Sequence, residues 1–253
     1  MKLIVEVSVQ CGYTNLTLVQ SCTSGNCGSF VNDFARLVAL AAVMNSAASW
    51  DARYGSDTAF FYGEEPNDHV KAEEARLPRG AAVLCLAEGE GRNAVFLAKQ
   101  GHHVTAVDLS SVGVAKTLAL AAKHGVKVAA VVGDLATFEI ATGAWDGIVS
   151  IWAHVPHTLR RSVHRAVVAG LRPGGIYIFE SYSPRQLELV SAGTAKGGPG
   201  SADLLATLAD VTAELNGLEF VVAAELDREV HEGQGHAGRS AVTQVVARKG
   251  LTA

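Results

Sequence analysis

The chain has 253 residues, of which 49% are hydrophobic, 18% charged and 6% aromatic, with a formal net charge of -4. That composition excludes a wholly disordered chain, a collagen-like rod and a disulfide-stapled miniprotein. A mildly acidic balance argues against a broad grip on nucleic acid, which needs clustered Lys and Arg. The expectation is a soluble, cytoplasmic α/β enzyme built as one domain with an appendage. Its best apolar run, Leu37 to Met44, falls far short of the ~20 residues that span a membrane.

Residues 1–45 differ in composition from the rest. Met1-Lys2-Leu3-Ile4-Val5 opens like a secretory signal, but Glu6 interrupts it and no cleavage site follows. This stretch is rich in Ser, Thr and Asn and holds Cys11, Cys22 and Cys27, whose spacing matches no zinc pattern. With Cys85 they read as reduced thiols, and no metal site is expected. Residues 1–45 are expected to lie outside the catalytic fold, with Gln10 to Ser29 loosely packed and Met44 an alternative initiator. Within them, Leu3 to Val9 could form an edge strand and Phe34 to Met44 a short apolar helix.

From residue 46 onward, helical and strand patterns alternate. Asn67 can cap a helix from Asp68 to Leu77, stopped by Pro78 and Gly80. Ala81 to Leu86 is a short apolar run, a buried strand. Gly91 to Gln100 reads as a helix closed by Gly101, and His103 to Val107 as a strand ending in Asp108. Ser110 or Ser111 caps a helix reaching His124, and Val126 to Val132 is the third strand. Asp146 leads the strand Gly147 to Ile151, His157 to Gly170 is helical, Arg172 to Gly175 is a turn, and Ile176 to Glu180 is a strand. Such alternation with near-continuous apolar strands specifies a parallel sheet covered by helices on both faces. Past a Gly-rich loop at Gly193 to Gly200 come a helix from Ala202 to Asn216 and a hairpin of Glu219 to Val230 with Ser240 to Lys249.

Chemistry concentrates where the first buried strand runs into Ala87-Glu88-Gly89-Glu90-Gly91-Arg92-Asn93. Glycines there let the backbone turn sharply and let a ligand approach, and the following helix offers free N–H groups and partial positive charge. Seventeen residues after Gly91, Asp108 ends the second strand, placed to accept hydrogen bonds from two ribose hydroxyls.

Leu86-Ala-Glu-Gly-Glu-Gly-Arg-Asn-Ala, Val104-Thr-Ala-Val-Asp-Leu-Ser, Gly133-Asp-Leu and Leu171-Arg-Pro-Gly-Gly resemble the successive motifs of class I S-adenosylmethionine-dependent methyltransferases. The resemblance covers about residues 47 to 249. Gly-x-Gly-Arg-Asn, with Trp50, Tyr54 and Tyr62-Gly63-x-x-Pro66-Asn67 upstream, is similar to the tellurite-resistance and thiopurine-type branch. It implies a Rossmann-like, seven-stranded mixed sheet, mostly parallel, with a terminal antiparallel hairpin and a methyltransferase domain over 46–253. It also implies S-adenosyl-L-methionine as cofactor and a small-molecule methyl acceptor, with a soft sulfur, selenium or tellurium nucleophile in view.

Residue by residue, the resemblance places Ala87, Glu88, Gly89, Gly91 and Asn93 around the methionine part of the cofactor. Asp108 with Leu109 falls at the ribose, Asp134 with Leu135 at the adenine, and Ile151 with Trp152 on the methyl side. The chain departs from the family at Cys85, where an acid is usual, and at Ala87, where the first glycine is usual. Glu88 is then the carboxylate available to the methionine ammonium. His154 is the candidate base, beyond the fourth strand. His231, with Arg239 eight residues on, matches the substrate-orienting positions of the tellurite-resistance enzymes, although Glu232 stands where they carry an Arg. Two other classes remain open on sequence: a non-catalytic nucleoside-binding regulator, and an NAD(P)-dependent oxidoreductase, for which no Tyr-x-x-x-Lys group is present.

Overall fold

A computed structural model describes residues 3–11, 14–22, 46–56 and 59–251, and of the first two segments the backbone alone. Strands β1 (Leu3–Cys11) and β2 (Thr14–Cys22) pair antiparallel in a two-stranded sheet of their own. The edge strand expected at Leu3 to Val9 thus joins a hairpin, and half of the stretch expected to be loose, 14–22, is its second strand. The helix expected over Phe34 to Met44 lies outside the described residues.

The main sheet contains β3 (Ala82–Leu86), β4 (His103–Asp108), β5 (Val128–Val132), β6 (Trp145–Ile151), β7 (Leu171–Tyr182), β8 (Ala195–Lys196), β9 (Leu218–Glu232) and β10 (His236–Lys249). Its order is β5-β4-β3-β6-β7-β10, with β9 and the two-residue β8 both paired to β10. The first five strands run parallel, and β10 runs antiparallel to β7, β8 and β9. The expected sheet is present, with β8 as an eighth, minimal strand.

The helices are α1 (Ala47–Gly55), α2 (Asp68–Glu73), α3 (Arg92–Lys99), α4 (Ser111–Lys123), α5 (His157–Gly170), α6 (Gln186–Ser191) and α7 (Leu208–Glu214). Side chains alternate across the pleat of β3 and so feed two cores. Val83 and Cys85 pack with Val70 of α2, Leu97 of α3 and Leu120 of α4. Leu84 and Leu86 pack on the other face with Val163 and Val167 of α5 and Val211 of α7. Each fully buried aliphatic chain contributes about 1.5–3 kcal/mol. Cys85 is a free thiol in this core, and burial pushes its pKa well up.

Two expected elements change form. Arg172 to Gly175 bulges out within β7, because Leu171 pairs with Trp145 and Ile176 already with Gly147. Asp146 fills the gap, accepting from Ala82 N at 2.8 Å and from Arg172 Nη1 at 2.8 Å. The helix expected over Ala202 to Asn216 is a 3-10 turn at Ala202–Leu204 and then α7. Between them Leu205 and Ala206 are buried, and Ala206 N donates to Tyr182 O, so the chain stays extended until Thr207 caps α7. The terminal hairpin is longer than expected, its strands extending to Glu232 and from His236.

Among the described residues, no helix is long and apolar enough to cross a membrane, and no group of three or more His, Cys, Asp or Glu is placed to hold a metal ion.

Candidate active site

At the carboxyl end of β3 the chain turns through Ala87 (φ 49°) and Gly89 (φ 67°) into Gly91 (φ 93°), which precedes α3. Ala87 therefore holds a left-handed conformation that costs an L-residue about 1–2 kcal/mol, which is the physical reason a glycine suits that position. Gly91 serves packing: a Cβ there would come within 2.7 Å of the Thr117 backbone on α4. Glu88 folds back onto the start of α3, its Oε1 accepting from Ala94 N at 2.8 Å. Burial pushes its carboxyl up to about 7, against the opposing pull of the helix N–H groups and Arg92.

Asp108 ends β4 beside this turn. One carboxylate oxygen accepts from Gly89 N at 2.7 Å and the other from Ser110 N at 2.8 Å. Burial raises its pKa more than these bonds lower it. Each oxygen keeps a further lone pair, so a neighbouring diol could still be held.

These turns open onto a cleft of about 1080 Å³, counted to its open mouth. Of the sequence-assigned cofactor residues, Ala87, Glu88, Gly89, Asn93, Asp108, Leu109, Asp134, Leu135, Ile151 and Trp152 all line it. Gly91 does not, since its place is the α3–α4 contact. The donor set suits a nucleoside bearing an amino acid: carboxylates at Asp108 and Glu88, with apolar Leu109, Leu135 and Ile151 between them.

Residues 59–63 and α1 roof the cleft. Glu90 Oε2 accepts from Phe61 N at 2.7 Å, while Lys116 Nζ donates to its Oε1 at 2.8 Å. Gln234 N, in the turn of the terminal hairpin, donates to Phe61 O at 2.8 Å. Gly233 (φ 57°) leaves this contact possible, because a Cβ there would overlap the Phe61 carbonyl. Asp51 of α1 accepts from Ser110 Oγ at 2.5 Å and from Val112 N at 3.1 Å, which fixes Trp50 and Tyr54 over the glycine turn.

The other end of the cleft is aromatic and rests on a buried ion network. Trp152, itself at φ 56°, stacks on Tyr182 at 4.3 Å between centroids, and His236 lies 4.7 Å from Tyr62. Glu232 Oε2 accepts from Arg92 Nη2 and from Trp152 Nε1, each at 2.6 Å, and its Oε1 accepts from Asn67 Nδ2 at 2.8 Å. Glu180 accepts both from Asn67 Nδ2, at 2.6 Å, and from Arg228, at 2.7 and 2.9 Å. Burial alone would raise the Glu232 carboxyl, but the His236 ring, with Nδ1 3.5 Å away, and the Arg92 charge hold it well below the usual range. Burial pushes His154 down to about 3 and lowers His236 despite its carboxylate neighbour.

His154 lines the cleft, with Nδ1 3.5 Å from Ser181 Oγ. His231 and Arg239 do not line it, which corrects their expected place beside the substrate. The pleat of β9 turns Val230 and Glu232 inward and leaves His231 exposed. Arg239 is 64% exposed and binds Asp227 at 3.0 Å, a carboxylate also held by Arg185. Arg92, Tyr62 and His236 also line the cleft, with Glu232 bound to Arg92; the sequence offered Arg92 and Tyr62 only as parts of motifs and Glu232 only as a departure from the family. A signal existed for Arg92, which sits inside Gly-x-Gly-Arg-Asn, and for Glu232, which shares a pleat face with apolar Val230.

A family profile described as a methyltransferase domain matches residues 83–175, from β3 into the bulge of β7. No curated relative matches the chain. Solved structures similar to it include one described as conversion of a disulfide bond into a thioacetal group during echinomycin biosynthesis. That structure has 20% identity and a TM-score of 0.61, over 82% of this chain and 93% of the other. TehB from Haemophilus influenzae is 18% identical, with a TM-score of 0.58 over 79% and 67% of the two chains. A SAM-dependent methyltransferase from Methanosarcina mazei is 17% identical, with a TM-score of 0.58 over 71% and 97%. At these identities the likeness is one of fold. The profile match spans less than half of the chain, and the likeness to these structures is that of a shared Rossmann-like fold.

Proposed function

We propose that the protein transfers a methyl group from S-adenosylmethionine to a small molecule with a soft sulfur, selenium or tellurium nucleophile, as a relative of the tellurite-resistance and thiopurine-type branch. The observation that carries this reading is Asp108, held at the end of β4 with one oxygen on Gly89 N at 2.7 Å, beside a turn that lets a ligand reach the backbone. In this reading Asp108 and Leu109 hold the ribose, and Asp134 and Leu135 flank the adenine. Ala87, Glu88, Gly89 and Asn93 surround the methionine part, where Glu88 supplies the carboxylate that Cys85 lacks.

When bound, the cofactor supplies an electrophilic methyl on a sulfonium. The chain's own part is to align and to exclude water. Trp50, Tyr54 and Tyr62 cover the cleft, and Ile151 and Trp152 form the wall on the methyl side. His154, held neutral, positions the acceptor and does not collect a proton near neutral pH. His231 and Arg239 take no part.

The methyltransferase unit in this proposal begins near Ser46, whose hydroxyl accepts from Ser49 N to cap α1. A chain starting at Met44 should fold and bind the cofactor like the full chain, and failure to bind would assign the preceding residues to the fold. Calorimetric titration tests the main reading. S-adenosylmethionine and S-adenosylhomocysteine should bind and NAD(P) should not; the reverse pattern would indicate an oxidoreductase. Binding without turnover of any sulfur, selenium or tellurium acceptor would indicate a regulator.

A further inference from the structure

We propose that Arg92 seats the carboxylate of the cofactor's methionine end on its Nη1, while Glu88, on the same turn, takes the ammonium. This rests on the methyltransferase reading above, and it makes Arg92 the residue that recognises the amino-acid end of the cofactor.

One charged donor in the cleft wall is left over. Arg92 follows Gly91 at the start of α3, lines the cleft, and its side chain is only 7% exposed. Its Nη2 donates to Glu232 Oε2 at 2.6 Å, which fixes the guanidinium in place. Its Nη1 is buried and has no hydrogen-bond partner among the described residues. Glu232 is otherwise engaged, because its Oε2 also accepts from Trp152 Nε1 and its Oε1 from Asn67 Nδ2. A buried donor left unmade is costly, and more so on a charged group, so an anionic ligand group that reaches Nη1 gains affinity.

Its surroundings select the kind of anion. Ala87, Glu88, Gly89 and Asn93 surround the methionine part in the reading above, and Arg92 lies within that run. Burial raises the Glu88 carboxyl and the Arg92 charge opposes it, so the two groups sense each other across the turn. Glu88 Oε1 accepts from Ala94 N, and no side-chain cation among the described residues is paired with it. A cation and an anion side by side suit a zwitterion, which brings a carboxylate to one and an ammonium to the other without adding net charge. A simple anion would add its charge to a wall that already carries Glu88, Glu90 and Asp108, and burying uncompensated charge is costly.

Other donors nearby are placed differently. Arg92 is the only Arg or Lys among the described residues that line the cleft. Arg53 sits 4.5 Å over the Trp50 ring and donates to Tyr62 Oη at 3.2 Å, outside that lining. Lys116 Nζ is held by Glu90 Oε1 at 2.8 Å. His154 Nε2 is also buried without a partner among the described residues, but its ring lies against Trp152 and Tyr182 on the methyl side.

The full chain is first titrated calorimetrically with S-adenosylhomocysteine; absence of binding overturns the methyltransferase reading itself. The second ligand is decarboxylated S-adenosylhomocysteine, which keeps the nucleoside, sulfur and ammonium and lacks only the carboxylate. The parent should bind it at least roughly tenfold more weakly than S-adenosylhomocysteine. In Arg92→Gln the two ligands should bind within about twofold of each other. That change takes a partner from Glu232, so Arg92→Met combined with Glu232→Gln, which leaves neither charge of the pair behind, is measured alongside and should lose the same discrimination. A merely structural role for Arg92 would weaken both ligands together and keep their ratio. A parent that binds the two ligands equally, or a preference for the carboxylate that survives in either folded variant, overturns the proposal while leaving the methyltransferase reading intact.

Discussion

The two ends of the cleft are built by different means. The glycine-turn end is local: β3, the turn at Ala87 to Gly91 and α3 are contiguous, and Asp108 comes from the neighbouring strand. Its contacts are mostly backbone N–H groups on carboxylates, Gly89 and Ser110 on Asp108 and Ala94 on Glu88. The aromatic end is assembled from Asn67, Arg92, Trp152, Glu180, Arg228 and Glu232, which come from five separate elements or loops and meet mostly through side chains. Backbone-made sites bind with little dependence on distant residues. Side-chain networks tie the site to the stability of the whole domain.

If that contrast is right, damage at the aromatic end should cost stability first. Glu232→Ala leaves Arg92 and Trp152 Nε1 unpaired in the interior and should destabilise the fold by about 3–5 kcal/mol in denaturant melts. A loss below about 1 kcal/mol would mean that the network is not a unit.

Glu88 probes the other end through pH. Its carboxyl is raised from 4.5 to about 7. A carboxyl raised on folding contributes stability that is complete below the unfolded value and is lost as pH rises through about 7. Glu88→Gln should remove that part of the decline, so that its stability relative to the parent improves by roughly 2–3 kcal/mol between about pH 4 and pH 8. Parallel stability curves for the two proteins would contradict it.

Smaller effects refine the comparison. Gly233→Ala sets a Cβ against the Phe61 carbonyl at a positive φ and should cost about 1–3 kcal/mol. Loosened packing of residues 59–63, read as faster amide exchange at Phe61 and Tyr62, should accompany it. Ala87→Gly relieves left-handed strain but adds unfolded-state entropy, so a gain under about 1 kcal/mol is expected in Tm measurements.

The same contrast explains what could be read in the sequence. The five parallel strands were legible because each apolar run is short and bounded by glycine or a capping residue, as with Gly101 and Ser110. Ten residues that line the cleft were legible because strand-to-helix turns place them within a few residues of a strand end. The aromatic end was not. On β9 the pleat decides everything, since a shift of one residue exchanges His231 for Glu232 at the site, and the apolar alternation of Leu218–Glu232 is too weak to fix which face is inward. Arg239 looked like an anion-binding partner, but Asp227, twelve residues away across the hairpin, takes it at 3.0 Å. Long-range ion pairing of this kind leaves no local pattern. The break between the 3-10 turn and α7 was equally hidden, because burial of Leu205 and Ala206 against the body of the fold interrupts a segment whose composition suits a helix.

The central claim is that the glycine turn and Asp108 form a nucleoside site whose binding depends on that carboxylate. Isothermal titration of S-adenosylhomocysteine into the parent and into Asp108→Ala, with folding of the variant checked by circular dichroism, tests it most directly. Two charge-assisted hydrogen bonds at ~1.5–3 kcal/mol each predict at least a roughly tenfold loss of affinity. Equal affinity in a folded variant, or no binding to the parent, would contradict the account.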